Sequence, residues 1–274
     1  MNQARQQFAA VVGRADDRLD VAEAALLIAK EEYPRLDLRA YLAQLDELAA
    51  GARVEVRTGA SPAEQVARLN QFLFVKCGFA GNSDDYYDPR NSFLNEVLDR
   101  RTGIPITLSI VYCEVARRVG MPVRGVAFPG HFLARYVAQP DIIIDPFFAT
   151  VLSRRDCEER LKGVFGPGAR LEPELFESAT AREILVRMLS NLKQVYVEKE
   201  DHERALGCAD RILLLMPDAP RELRDRGILY QRLECFAAAL RDLERYLQLA
   251  PDDEAASTIR AALPDLQRQA ASLQ

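Results

Sequence analysis

Only two side chains in this sequence can move protons near neutral pH as imidazoles, His131 and His202. His131 stands in the motif PGHFLARY, and Asp145 closes the apolar run IIID a little further on. Upstream of both lies GIPITLSIVYCEVARRVG, an apolar stretch with helical spacing. A helix, then a strand beginning at His131, then a strand ending at Asp145 is the order of a nucleophile–His–Asp site. In such a site a group at the helix start is activated by the imidazole, and the carboxylate fixes the tautomer and stabilises the charged ring.

The nucleophile is the weak member. Cys113 lies eight residues beyond Pro105 (113 − 105 = 8), which is about 12 Å along a helix. That is too far from the helix start, and its apolar surroundings suit an inert, small buried side chain. Thr107 and Ser109 are nearer, but a hydroxyl there needs an aligned base and an oxyanion hole; capping or packing of the helix is the expectation for both. His202, in DHERAL at a helix start, is expected to be solvated. The acidic and aromatic run Asp84-Asp85-Tyr86-Tyr87-Asp88 is expected to be a solvated loop.

Cys77, Cys113, Cys157, Cys208 and Cys235 are odd in number and never form CxxC, which fits reduced thiols rather than a disulfide frame or a zinc site. His131 has no second His or Cys at ligand spacing, so no metal and no cofactor is expected. The net charge of -5, with Arg100-Arg101 and Arg117-Arg118 as isolated basic pairs, excludes a nucleic-acid footprint. The opening residues lack a signal peptide's basic start and apolar core, and no run approaches a membrane span; a cytoplasmic protein is expected.

The elements that must hold these residues follow from periodicity. The first 80 residues read as helical. Ala22, Leu26, Leu27 and Ala29 form one stripe; Leu38, Tyr41, Leu42, Leu45 and Leu48 form a second, with Gly51 as its expected C-cap. Ser61, Pro62 and Glu64 are the start signals of a third helix. Ser92 to Arg101 and Ile106 to Val119 are expected to be helical, the second ending at Gly120. Val123 to Phe128, His131 to Val137 and Ile142 to Ile144 are expected to be antiparallel strands separated by Pro129-Gly130 and Gln139-Pro140-Asp141.

From about Ala181 the pattern is helical and it repeats. Tyr196 and Tyr230, Ala205 and Ala239, Leu206 and Leu240, and Pro217 and Pro251 are each 34 residues apart (230 − 196 = 34). That period, with Ala at the helix crossing and Pro at the repeat end, is the tetratricopeptide signature. The repeats fall at about 185–218 and 219–252, and Ala255 to Leu273 is expected to be a capping helix.

The block YYDPRNSFLNEVLDRRTGIPITLSIVYCEVARRVGMPVRGVAFPGHFLARY resembles the SirB1 family, a transglutaminase-like group of bacterial proteins. The stretch AEAALLIAKEEYPRLDLRAYLAQLDELA and the attached repeats resemble it too, so the similarity spans roughly 21–252. It implies an α+β fold: a mainly helical, papain-like domain with a small antiparallel sheet over residues 1–180, then all-α repeats over 181–274. In active transglutaminase-like proteins a G-x-C pattern opens the helix, some fifteen residues before a G-I-P-x-R turn. Gly120-Met121-Pro122-Val123-Arg124 matches that turn, and counting back (120 − 15 = 105) finds Pro105. His131 and Asp145 match the family's His and Asp; the Cys has no counterpart. The expectation is a protein- or peptide-binding module acting through its repeats, with little or no catalysis and with His131 and Asp145 as a remnant or pocket-forming pair. The rival is a peptide-amide hydrolase or acyl transferase that uses the pair with an unidentified nucleophile.

Overall fold

Side-chain caps set the helix starts in the first part of the chain. The structure is a computed structural model and describes residues 3–56 and 59–272. After α1 (Gln3–Val12), Asp20 accepts the Glu23 N–H and opens α2 (Val21–Glu32). Asp37 accepts the N–H groups of Arg39 and Ala40 and opens α3 (Leu38–Glu55); Ser61 accepts from Glu64 and opens α4 (Pro62–Asn70). Each cap satisfies donors that the first helical turn leaves without partners.

Gly51 does not end its helix. α3 runs through it to Glu55, and a Cβ at Gly51 would meet Phe72 Cζ at 2.7 Å. The glycine allows a close approach there, where a C-cap was expected. Phe72 lies in a π-helical continuation of α4, Gln71–Lys76.

A two-residue strand, β1 (Ala80–Gly81), precedes α5 (Leu94–Arg100) and pairs in parallel with β2 (Thr102–Gly103). The expected helix over Ser92 to Arg101 is thus trimmed at both ends. Ser92 belongs to a 3₁₀ turn, Pro89–Ser92, and Arg101 takes a left-handed conformation at φ 59. α6 (Pro105–Val119) starts on Pro105 and stops at Gly120, whose φ of +93 suits glycine. It buries Ile106, Leu108, Ile110, Val111, Val115 and Ala116, so it is a central helix of this part of the chain.

The sheet that follows has the order β3 (Val123–Val126), β4 (Leu133–Tyr136), β5 (Ile142–Asp145), β6 (Thr150–Leu152), all antiparallel. Three strands lie where alternation placed them. β4 begins at Leu133, however, so His131 sits in the turn ahead of the strand. β6 and the next helix, α7 (Arg154–Phe165), carry no clear sequence signal; Ser153 and Asp156 cap α7 reciprocally. Val126, Phe128, Leu133, Cys157, Leu161 and Leu171 form one buried cluster that joins sheet and helix.

The fold is α+β, with helices before the sheet and helices alone after it. The helices are α8 (Ala181–Glu198), α9 (His202–Leu215), α10 (Pro220–Arg232), α11 (Phe236–Leu249) and α12 (Ala256–Ser272). Two compact units divide the chain, Met1–Met188 and Leu189–Gln274, so the break falls inside α8, which itself starts at Ala181. In the second unit Ala205 and Ala239 are fully buried, and Gly227 lies so near Leu243 that a Cβ would meet Leu243 Cγ at 2.7 Å. Small residues at these crossings let neighbouring helices close on each other. Leu273, the expected end of the capping helix, lies outside the described residues.

Candidate functional site

The turn between β3 and β4 aims His131. Gly130 takes φ +68, which an L side chain adopts poorly, and the His131 N–H donates to the Phe128 carbonyl at 3.0 Å. His131 Nε2 lies 3.0 Å from Asp145 Oδ1. Asp145 is fully buried at the end of β5, and its Oδ1 also accepts the backbone N–H groups of Phe147 at 3.0 Å and Phe148 at 3.3 Å. Arg160, from α7, makes an ion pair with Oδ2 at 2.5 Å. Burial alone would push this carboxyl up. The His131 hydrogen bond, the charges of His131 and Arg160 and the Phe148 amide outweigh it and hold Asp145 below the usual carboxylate range.

An ionised Asp145 accepts, so Nε2 of His131 carries the proton and Nδ1 of the neutral ring is left as a base. Nδ1 has no hydrogen-bond partner among the described residues, and the side chain keeps 13% of its exposure. Aromatic rings frame it. Phe148 stacks 6.1 Å away, Phe147 meets it edge-on at 6.2 Å, and the Arg160 guanidinium lies over Phe148 at 5.3 Å.

The first turns of α6 are tied to the segment that carries His131. Ser109 Oγ donates to the carbonyl of Phe132, next to His131, at 3.3 Å. Pro105 opens this helix, about one turn before Ser109. Thr107 is fully buried; its Oγ1 accepts the Ile104 N–H and donates to the Asn91 carbonyl at 2.7 Å. Both hydroxyls are spent on local structure. Burial pushes the Cys113 thiol up to about 12. Burial also raises the Cys157 thiol, which feels Arg160 and Asp145 but sits in the apolar cluster behind the sheet. Neither is poised as a thiolate.

The acidic aromatic run is exposed over Asp84 to Tyr87, as expected of a solvated loop, and is tied down at its end. Asp88 is buried and pairs with Arg90 at 2.8 Å, and Tyr86 meets Phe147 edge-on at 6.0 Å. Asn91, fully buried, donates to the carbonyls of Asp85 and Tyr86 and so pins the loop beside the site. Arg160 was missed from sequence, and Tyr86 reads there only as part of an acidic aromatic run, a solvated loop or a recognition loop. DDYYD and RRDCEERLKG look like ordinary surface segments, and only the fold brings them to His131.

His202 corrects an expectation. It is half-buried, its Nδ1 is enclosed without a partner, and it lines a cavity of about 430 Å³ between α8 and α10. Val197 and Ile228 line the same cavity with 42% and 38% of their surface exposed, flanked by Lys193 and Arg232. Lys193 is tied to Glu222 at 2.7 Å and to Asp225 at 2.9 Å. Among the described residues no His, Cys, Asp and Glu side chains group as a metal site, and no helix is long and apolar enough to cross a membrane.

A helix leading into a sheet flanked by a hydrogen-bonded His–Asp pair, followed by paired helices at a 34-residue period, defines a transglutaminase-like protein with tetratricopeptide repeats. Residues 39–190 match the model of the transglutaminase-like superfamily, and residues 192–264 match a tetratricopeptide repeat model. A UPF0162 protein of Xylella fastidiosa is 42% identical over 259 residues, covering 93% of this chain and 92% of the relative. Protein SirB1 of Salmonella typhimurium is 30% identical, with 86% and 90% covered. The chain belongs to this transglutaminase-like family, whose members include SirB1 and the UPF0162 proteins. Among solved structures, menin superposes over 98% of this chain and 77% of its own at 10% identity with a TM-score of 0.38, a likeness too slight to build on.

Proposed function

We propose that the protein is a peptide- or protein-binding module whose repeat unit makes the contact and whose transglutaminase-like unit does little or no catalysis. The observation that carries this is the cavity of the repeat unit. Val197 and Ile228 leave apolar surface open inside a polar, charged rim, the composition of a recognition groove and not of a helix face turned to water. The second support is Pro105. By the fifteen-residue count back from Gly120 it falls where the family's thiol would be; the nearby hydroxyls are engaged, and burial raises the thiols of Cys113 and Cys157. The partner belongs to the protein or peptide class, and the site of action is the cytoplasm.

One observation favours a different reading. His131 keeps Nδ1 without a partner, and its charged form is backed by an ionised Asp145. That arrangement could activate a water or a substrate hydroxyl for acyl transfer. The test is an assay for amide hydrolysis and transamidation on mixed glutamine- and lysine-containing peptides. We expect no turnover above background. Turnover abolished by His131→Ala would make the enzyme reading the better one.

A further inference from the structure

A second concavity, of about 670 Å³, lies in the first unit among α1, α2 and the start of α3. Arg14, Lys30, Arg35 and Arg39 line it, with Glu23 and Asp37 as the acids on the same wall. Both acids are already engaged. Glu23 Oε2 accepts from Arg14 at 2.8 Å, and the Asp37 carboxylate caps α3 through the Arg39 and Ala40 amides. Lys30, Arg35 and Arg39 have no ion pair among the described residues. With Arg14 paired to Glu23, Asp37 is the one carboxylate set against Lys30, Arg35 and Arg39, so the hollow keeps a positive balance on a chain whose net charge is -5.

The position of Arg39 adds a separate argument. It stands in the first turn of an 18-residue helix whose acid at that end is the N-cap Asp37, with none inside the turn itself. The helix dipole disfavours a cation at this end. Beneath the basic rim, Val11, Leu27 and Leu36 are buried and form an apolar floor. Among the described residues no aromatic side chain lines the hollow, so it offers bases no stacking platform. The basic rim selects an anion, and the apolar floor adds an aliphatic group. We propose that this hollow binds an extended acidic peptide segment of a partner protein, its carboxylates held by Lys30, Arg35 and Arg39 and one aliphatic side chain seated on Val11, Leu27 and Leu36.

The test is fluorescence anisotropy of a fluorescein-labelled peptide, Glu-Asp-Leu-Asp-Glu-Leu, titrated with the full chain. Binding should weaken steeply as salt is raised from about 50 to 200 mM, as charge-driven contacts do. The double variant Arg35→Glu/Arg39→Glu should lose at least about tenfold in affinity. Its melting temperature should hold or rise, because an acidic residue suits the start of α3. Replacing both leucines of the peptide by serine should also weaken binding. Affinity unchanged in the double variant, a lowered melting temperature accompanying the loss, or no saturable binding by the wild type would each overturn the proposal. So would equal binding of the leucine-free peptide, or full displacement by equimolar pyrophosphate, since either would show a simple anion site.

Discussion

Asp145 is the residue on which the candidate site depends most. It is fully buried, yet four groups stabilise its charge: His131, Arg160 and two backbone amides. A carboxyl with a depressed folded-state pKa contributes stability that is complete above its unfolded value, near 4, and that is lost as pH falls through the folded value. The melting temperature of the wild type should therefore fall more steeply than that of Asp145→Asn as pH drops from about 5 to 3. At neutral pH Asp145→Asn should cost about 2 kcal/mol. That is less than a fully buried broken pair, because Arg160 keeps 27% of its side-chain exposure. Parallel pH profiles for the two proteins would show that the carboxylate is not ionised in the fold. The pair itself was legible in the sequence as a His after a Pro-Gly turn and an Asp closing an apolar strand. Arg160 was not, because a long-range ion pair leaves no local pattern.

Elements were legible in proportion to how local their causes are. Caps at Ser61 and Gly120 act over a few residues, and both were readable. Gly51 was misjudged because its reason is Phe72, a ring from another helix, and sequence periodicity cannot report a close approach. β6 was missed because Thr150–Leu152 is three residues long and mostly exposed, too short for alternation to register. Close crossings in the repeats give the test at this scale. In an exposed helix Gly→Ala gains about 1 kcal/mol of helix propensity. At Gly227 the new methyl would meet Leu243 at 2.7 Å, and overpacking of about 1–3 kcal/mol should win. We expect Gly227→Ala to lower the melting temperature, and Ala239→Leu to lower it further. A stabilised Gly227→Ala would mean that α10 and α11 are not packed this closely.

At the scale of the whole molecule, the 34-residue period made the order of the two parts readable before any coordinate. The cavities were hidden, because each is built from helices whose apolar stripes say which face is buried and not what the remaining face encloses. The half-buried His202 shows this. A histidine beside Asp201 and Glu203 looks like a solvated cap residue, and only the approach of α8 and α10 turns it into a cavity wall. On the proposed function, partner recognition by the repeat unit is independent of His131. Binding energy concentrates in a few desolvated anchors, and Val197 and Ile228 are the exposed apolar side chains of this cavity.

The most direct measurement is therefore a quantitative capture of partners from cell lysate with three tagged proteins of matched stability: the wild type, His131→Ala, and Val197→Asp/Ile228→Asp. If the repeat cavity is the recognition surface, the wild type and His131→Ala should retain the same set of proteins in similar amounts. The double variant should lose that set, as expected when a charge is placed in a desolvated contact. Capture lost in His131→Ala but kept in Val197→Asp/Ile228→Asp would contradict it, and would place recognition at the His131–Asp145 pair instead.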